Sequence, residues 1–286
     1  MQADMGDWGI GDLFYSPLQT LFDDMTAIVA VYTTEGFVLG SDGRGSWNGT
    51  PLTTGTLAIS PTDDAQKIFS VSTPTCKLAY AVAGFVYNDT GTFSMLRECE
   101  SQSMASLRAG LICYDYVNDF GKKLQRRITK AIQDGEVEPF HRRDGVSDEE
   151  SYTVCRITFA GYMDDQPCFK CARIRLSRDG GRLVHEVESV NIVNGNSVAR
   201  GGAIAPQLAV RGDARFSAYS IGLNTPPTDL ATAFTYARAY IECCSDPQAG
   251  SVDPICNIIG GRVQIAKITP ANGFEWFSGF EPAMPA

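Results

Sequence analysis

The chain has 286 residues, a formal charge of −9 and a pI near 4.8. That balance argues against nucleic acid or anionic lipid as a partner, because both present phosphates that want cations. The apolar fraction, 44%, is that of an ordinary globule, and no apolar run reaches the roughly 18 residues of a membrane span.

Residues 1–25 hold five Asp and no Lys or Arg, which argues against a secretory signal. They read as a leader with two histories. Either they are a propeptide cleaved before Thr26, or Met25 is the true start and residues 1–25 are a mis-assigned extension. An aminopeptidase would then remove Met25. Both routes end at Thr26, and residues 26–286 form one domain. The nine cysteines, an odd and irregularly spaced set, do not read as a disulfide framework. They point to a reducing, cytoplasmic setting.

Residues 27–33 and 36–42 are β-rich runs around Glu35-Gly36, the chemistry of a hairpin. The first run is apolar almost throughout, as a strand covered on both faces should be. Residues 43–62, rich in Gly, Thr and Ser, read as a loop. Lys67–Val71 and Lys77–Val82 are strands joined at Thr73-Pro74. An interrupted helix follows around Phe93 to Leu107. Val117, Phe120, Leu124, Ile128 and Ile132 then recur every three or four residues, so 111–133 is an amphipathic helix. Residues 134–151 read as an exposed loop. Strands are expected at 152–162, 168–177 and 182–193, and a short helix between Gly212 and Gly222. Thr228 is expected to cap a helix over 229–244. Gly260-Gly261 precedes a last strand, Val263–Ile268. Sheets with helices on their outer faces suit this order.

The stretch with chemistry is Met25-Thr26 at the head of the first strand. A threonine that becomes a chain terminus carries its own base, the free α-amine. Asp42 lies 16 residues on (42 − 26), in Ser41-Asp42-Gly43-Arg44. Lys67 stands in Gln66-Lys67-Ile68-Phe69. A lysine cation lowers the pKa of a nearby amine and stabilises negative charge on the hydroxyl oxygen, while burial pushes its own pKa down. Asp42 would hold it. Gly84, ending the strand at Ala83-Gly84, could offer a backbone N–H to an oxyanion. Other chemistries are poorly served. The Cys168-Phe169-Lys170-Cys171 pair would point to opposite faces of a strand and does not converge on a metal. His141 and His185 lie outside any nucleophile motif, and Gly201-Gly202 lacks the Lys-Ser/Thr of a phosphate loop. No metal or cofactor is expected.

With Thr26, Asp42-x-Arg44, Lys67 and Ala83-Gly84 in this order, the chain resembles the proteasome β-subunit family, most strongly over residues 26–84. The resemblance implies a four-layer αββα sandwich of the N-terminal-nucleophile (Ntn) hydrolase type, peptide or unfolded-protein substrates, a homo-oligomeric ring and an ATP-dependent unfoldase as a candidate activator. It also implies an Asp that orients the terminal amine, with a Ser three residues on. Asp253 and Cys256 have that spacing, and Asp246 is the rival. The family serine opening the third helix would fall at Asp213, a departure that suggests a divergent, bacterial-type branch. Two other readings stay open: a non-catalytic ring subunit that keeps its leader, and an amidase or transpeptidase with a dedicated substrate.

Overall fold

The computed structural model describes residues 26–44, 63–84, 93–108, 110–141, 152–179, 181–192, 197–201 and 204–283. The leader reading of 1–25 and most of the loops expected at 43–62 and 134–151 lie outside the described residues.

Strand β1 (Ile28–Thr33) pairs antiparallel with β2 (Gly36–Ser41), from Ile28 opposite Ser41 to Thr33 opposite Gly36, so the turn is Thr34-Glu35. Strand β3 (Ile68–Thr73) and β4 (Cys76–Gly84) form a second hairpin. Helices α1 (Met95–Ser106) and α2 (Cys113–Gln133) follow, then β5 (Thr153–Met163), β6 (Gln166–Leu176) and β7 (Leu183–Ser189). After β8 (Ser197–Gly201) come α3 (Ala205–Val210), α4 (Ser217–Asn224) and α5 (Leu230–Cys244). Short 3-10 turns at Ala249–Ser251 and Pro254–Ile258 lead to β9 (Gln264–Thr269) and β10 (Gly273–Trp276). The result is an α+β structure with two antiparallel five-stranded sheets, β10-β9-β2-β1-β8 and β3-β4-β5-β6-β7.

The side-chain alternation of the strands distributes the core. On β4, Ala79, Ala81 and Ala83 share a cluster with Ile28, Ala30, Phe37 and Leu39 of the other sheet. The intervening Leu78, Tyr80 and Val82 pack with Phe120, Leu124 and Ile128 of α2. Val29, Val31 and Val38 pack against Ala237, Ile241 and other residues of α5. Strands buried on both faces explain why β1 and β2 read as continuous apolar runs. Each fully buried Phe, such as Phe37, Phe120 or Phe159, favours the folded state by about 1.5–3 kcal/mol.

Three elements escaped the sequence reading. β8 and β10 are five and four residues long, too short for a clear period of two. α3 has six residues, fewer than two turns, so no 3.6-residue stripe can develop. The cap of α5 also differs. Asp229, not Thr228, is the N-cap: its carboxylate accepts from Thr232 N at 2.8 Å, and Thr232 Oγ1 accepts from Asp229 N at 3.1 Å. A disulfide was not expected, yet Cys113 at the start of α2 is bonded to Cys168 of β6, 55 residues away. The other seven cysteines are buried, and none forms a second disulfide among the described residues. Among the described residues no helix is long and apolar enough to cross a membrane.

Candidate active site

Three strand ends meet at one buried point. Thr26 lies two residues before β1, Asp42 directly follows β2, and Lys67 directly precedes β3. Their exposures are 2%, 0% and 1%. Lys67 Nζ donates to Asp42 Oδ1 at 2.9 Å and to Thr26 Oγ1 at 3.2 Å. Thr26 and Asp42 come from the first sheet, while Lys67 reaches in from the second.

Asp42 is held by more than its cation. Oδ1 also accepts from Ala27 N at 3.1 Å, and Oδ2 accepts from Arg44 N and Gly260 N, each at 3.2 Å. An Asp accepting the N–H two residues on is a local turn that needs only the Asp-x-Arg spacing. The Gly260 bond is long-range, 218 residues away. Arg44 secures it from the other side. Its Nε donates to Asp63 Oδ1 at 2.8 Å, and its guanidinium lies so close to Gly260 that an added Cβ would sit 2.9 Å from Cζ. Gly260 has φ +153°, so glycine is wanted there on both counts.

Burial pushes the Asp42 carboxyl above its usual range, against the opposing pull of Lys67 and of the N–H groups of Gly260 and Arg44. The same burial pushes the Lys67 ammonium below its usual range, against the pull of Asp42. Burial thus works against the charged form of each partner. Lys67 Nζ is within donating distance of Thr26 Oγ1, so it can polarise that hydroxyl or stabilise its anion.

The remaining sequence-derived residues are placed as follows. Gly84 ends β4 with φ +98°, and an added Cβ would meet Val154 O at 2.5 Å. Only glycine suits that backbone. Asp253 is buried and its Oδ2 accepts from Ile204 N at 3.2 Å. Among the described residues no hydrogen bond joins Asp253 to Thr26. Asp246 accepts from Tyr219 Oη and Gln248 N, both at 2.8 Å. A cavity of about 350 Å³ lies beside it, lined by Arg44, Asp246, Cys256, Asn257, Gly260 and Gly261. Burial raises the thiol pKa of Cys256 far above its usual value.

Asp213 is corrected. It does not open the third of the described helices, which begins at Ala205 after Ile204. Instead it caps the 3-10 turn Ala214–Phe216 and chelates Arg215. The segment that leads into the third helix is the one whose Ile204 N–H meets Asp253. Cys168 of the C-x-x-C pair is bonded to Cys113, and among the described residues no cluster of His, Cys, Asp or Glu could hold a metal ion. His185 Nε2 lies 3.1 Å from Asn118 Oδ1 on α2, and burial lowers its pKa.

One residue of this site was missed by the sequence reading. Gln264, fully buried at the head of β9, accepts from Lys67 N through Oε1 at 3.2 Å and donates from Nε2 to Ala65 O at 2.7 Å. Its signal was a lone amide in the otherwise apolar Val263-Gln264-Ile265-Ala266.

The fold and this contact define an α+β protein with a buried Thr–Lys–Asp cluster where its two sheets meet. No protein-family model matches the chain, and no curated protein matches it. Similar solved structures include the Anbu (Gly-1) mutant from Hyphomicrobium sp. strain MC1, at 10% identity and TM-score 0.45, covering 91% of this chain and 85% of that one. Another is Anbu (ancestral beta-subunit) from Yersinia bercovieri, at 11% identity and TM-score 0.46, covering 88% and 86%. Identities and scores this low assign no activity. The sequence-derived resemblance is corrected: with no family model and no curated protein matching, the chain is not placed in the proteasome β-subunit family.

Proposed function

We propose that the chain is an N-terminal threonine hydrolase that cleaves peptide bonds and whose mature form begins at Thr26. The observation that carries this reading is the buried contact of Lys67 Nζ with both Thr26 Oγ1 and Asp42 Oδ1. Cleavage of the Met25–Thr26 bond would turn a peptide nitrogen into a free amine, with a reference pKa of about 8. Thr26 is 2% exposed in the full chain. Oγ1 then attacks the substrate carbonyl, and its proton passes to the α-amine, directly or through water. As the tetrahedral intermediate collapses, the leaving nitrogen takes that proton and the acyl group stays as an ester on Oγ1. Water adds to the ester, the acid departs, and the hydroxyl regains a proton.

In this reading Lys67 supplies positive charge beside Oγ1 and the amine, and Asp42 holds Lys67. The N–H of Gly84 receives the oxyanion, and Asp253 orients the amine. The mechanism calls on no cofactor. The reading takes residues 26–286 as one four-layer αββα domain. Its support is the apolar cluster shared by the two sheets and the two clusters that join each sheet to helices. It further takes the protein as a cytoplasmic homo-oligomer, ring-shaped, acting on peptides or unfolded chains, with an ATP-dependent unfoldase as activator. Exposed Met104, Ile112, Tyr114 and Ile221 supply apolar surface for self-association.

The test is Thr26→Ala in protein processed to residue 26, confirmed by mass, against pooled fluorogenic peptidyl amides. Turnover should fall by several decades while folding changes by less than about 1 kcal/mol. Thr26→Ser should keep partial activity, because the hydroxyl remains but rotates more freely without the methyl. Equal rates for wild type and Thr26→Ala would place the nucleophile elsewhere. Full activity with residues 1–25 still attached would overturn the terminal-amine mechanism.

A further inference from the structure

We infer that Gln264 is a positioning residue for Lys67, its side-chain amide holding the backbone on either side of Gln66. The inference rests on the proposed role of Lys67. Lys67 is the one member of the buried cluster that belongs to the second sheet, and it stands one residue before β3 begins. Ladder pairing of that strand with β4 starts only at Ile68 opposite Ala81. Lys67 O is already held by Val82 N at 3.1 Å. Its N–H is not part of that ladder and donates instead to Gln264 Oε1 at 3.2 Å.

Gln264 reaches this backbone from the first sheet. Its amide accepts from Lys67 N and donates to Ala65 O. The two bonds flank Gln66 and hold the backbone on both sides of it. Gln264 is fully buried, so water cannot take over either bond. It pairs in register with Ser41, the residue before Asp42. The same amide thus ties the backbone that carries Lys67 to the strand that carries Asp42. A lysine side chain has four rotatable bonds, so its ammonium reaches a fixed point between Asp42 and Thr26 only if its own Cα is fixed.

The test uses the full chain processed to Thr26, with Gln264→Met, Gln264→Ala and Gln264→Glu. A protonated glutamic acid keeps both functions, a carbonyl for Lys67 N and an O–H for Ala65 O. An ionised carboxylate cannot donate, and Met offers neither. With pooled peptidyl aminocoumarin amides, kcat should fall about 10–100-fold in Met and Ala, with KM within about threefold. Glu should recover most of kcat at low pH and lose it as its carboxyl ionises, adding a descending limb that wild type lacks. A Met variant with wild-type kcat would overturn the proposal. So would a Glu variant that tracks Met at every pH.

A second readout is independent of turnover. The Lys67 Nζ NMR signal, assigned by its loss in Lys67→Arg, should move in the Met variant and stay in place in protonated Glu. An unmoved signal in Met would overturn the positioning role. If processed wild type cleaves no amide, the hydrolase reading fails, and the NMR comparison still decides the role of Gln264.

Discussion

Two carboxylate–cation pairs of similar length sit in different regions and behave oppositely. Lys67 and Asp42 are 2.9 Å apart where the sheets meet, and Arg215 and Asp213 are 2.6 Å apart beside a surface turn. At the surface, hydrogen bonds from Arg215 pull the Asp213 carboxyl from its usual 3.8 down to about 2. In the interior, burial outweighs a comparable partner, and the Asp42 carboxyl is pushed up. The sign of the shift is therefore set by how much water the pair gives up, not by the presence of an opposite charge. A pair at the surface is a local brace. The pair in the interior joins two groups whose charged forms burial disfavours, and in this molecule it touches a hydroxyl.

The largest break in this comparison should come from Lys67→Met. Loss of one partner leaves Asp42 buried without its cation, a change that costs about 3–5 kcal/mol. Turnover should be abolished, and Lys67→Arg should not restore it, because guanidinium differs in shape and stays charged. The pH dependence has a definite sign. With its carboxyl pKa raised in the folded state, an uncompensated Asp42 favours folding below its unfolded pKa and loses that contribution as pH rises. The stability gap between wild type and Lys67→Met should therefore narrow as pH falls, measured by urea denaturation. Adding Asp42→Asn should recover part of the loss near neutral pH, since no buried charge then remains. A gap that widens on acidification would contradict the burial argument.

A smaller effect is expected from Gly260→Ala. The added methyl meets the Arg44 guanidinium, and φ at this position is +153°. The substitution should cost roughly 1–3 kcal/mol and weaken the N–H donor to Asp42. Activity should drop about tenfold, as one of several hydrogen bonds to the carboxylate degrades. A thermal melt and kcat on the same preparation check both. An unchanged kcat beside a lowered melting temperature would show that Asp42 does not depend on that donor.

The smallest effect belongs to Asp213→Asn. Because the folded pKa is depressed, the pair's contribution is complete above the usual 3.8 and disappears as pH falls through about 2. The change in melting temperature at pH 7 should be close to the error of the measurement, because the carboxylate is solvated. Carboxyl-carbon NMR titration of wild type should find Asp213 protonating near pH 2. An ordinary carboxyl value would show that the chelate does not persist in solution.

Much of this architecture was legible in the sequence because it is written in short-range patterns. The apolar runs of β1 and β2, the stripe from Val117 to Ile132 and the hairpin between β3 and β4 all follow from spacing and turn chemistry. The misses share a cause. Among the described residues β8 gains its pairing from β1 alone, and α3 is too short to carry a period. Placing the third-helix opening at Gly212 followed from not detecting α3. The Cys113–Cys168 bond joins residues on different elements, and no spacing rule could have paired them.

What the sequence determined by itself was the inventory and its local frame. It set a threonine at the head of an apolar strand, an aspartate in a turn that satisfies itself through Arg44 N, and a lysine at the entrance to a strand. Local rules suffice there, because side-chain period and turn geometry act over a few residues. Only the tertiary structure decided that the three side chains touch, that Gly260 and Gln264 support them from the far end of the chain, and that Asp253 bonds Ile204. Those outcomes depend on how two sheets lie on each other. The physical reason is burial: the shifts of Asp42 and Lys67 arise from water excluded by residues up to 218 positions away, and exclusion of water is a property of packing that no local stretch carries.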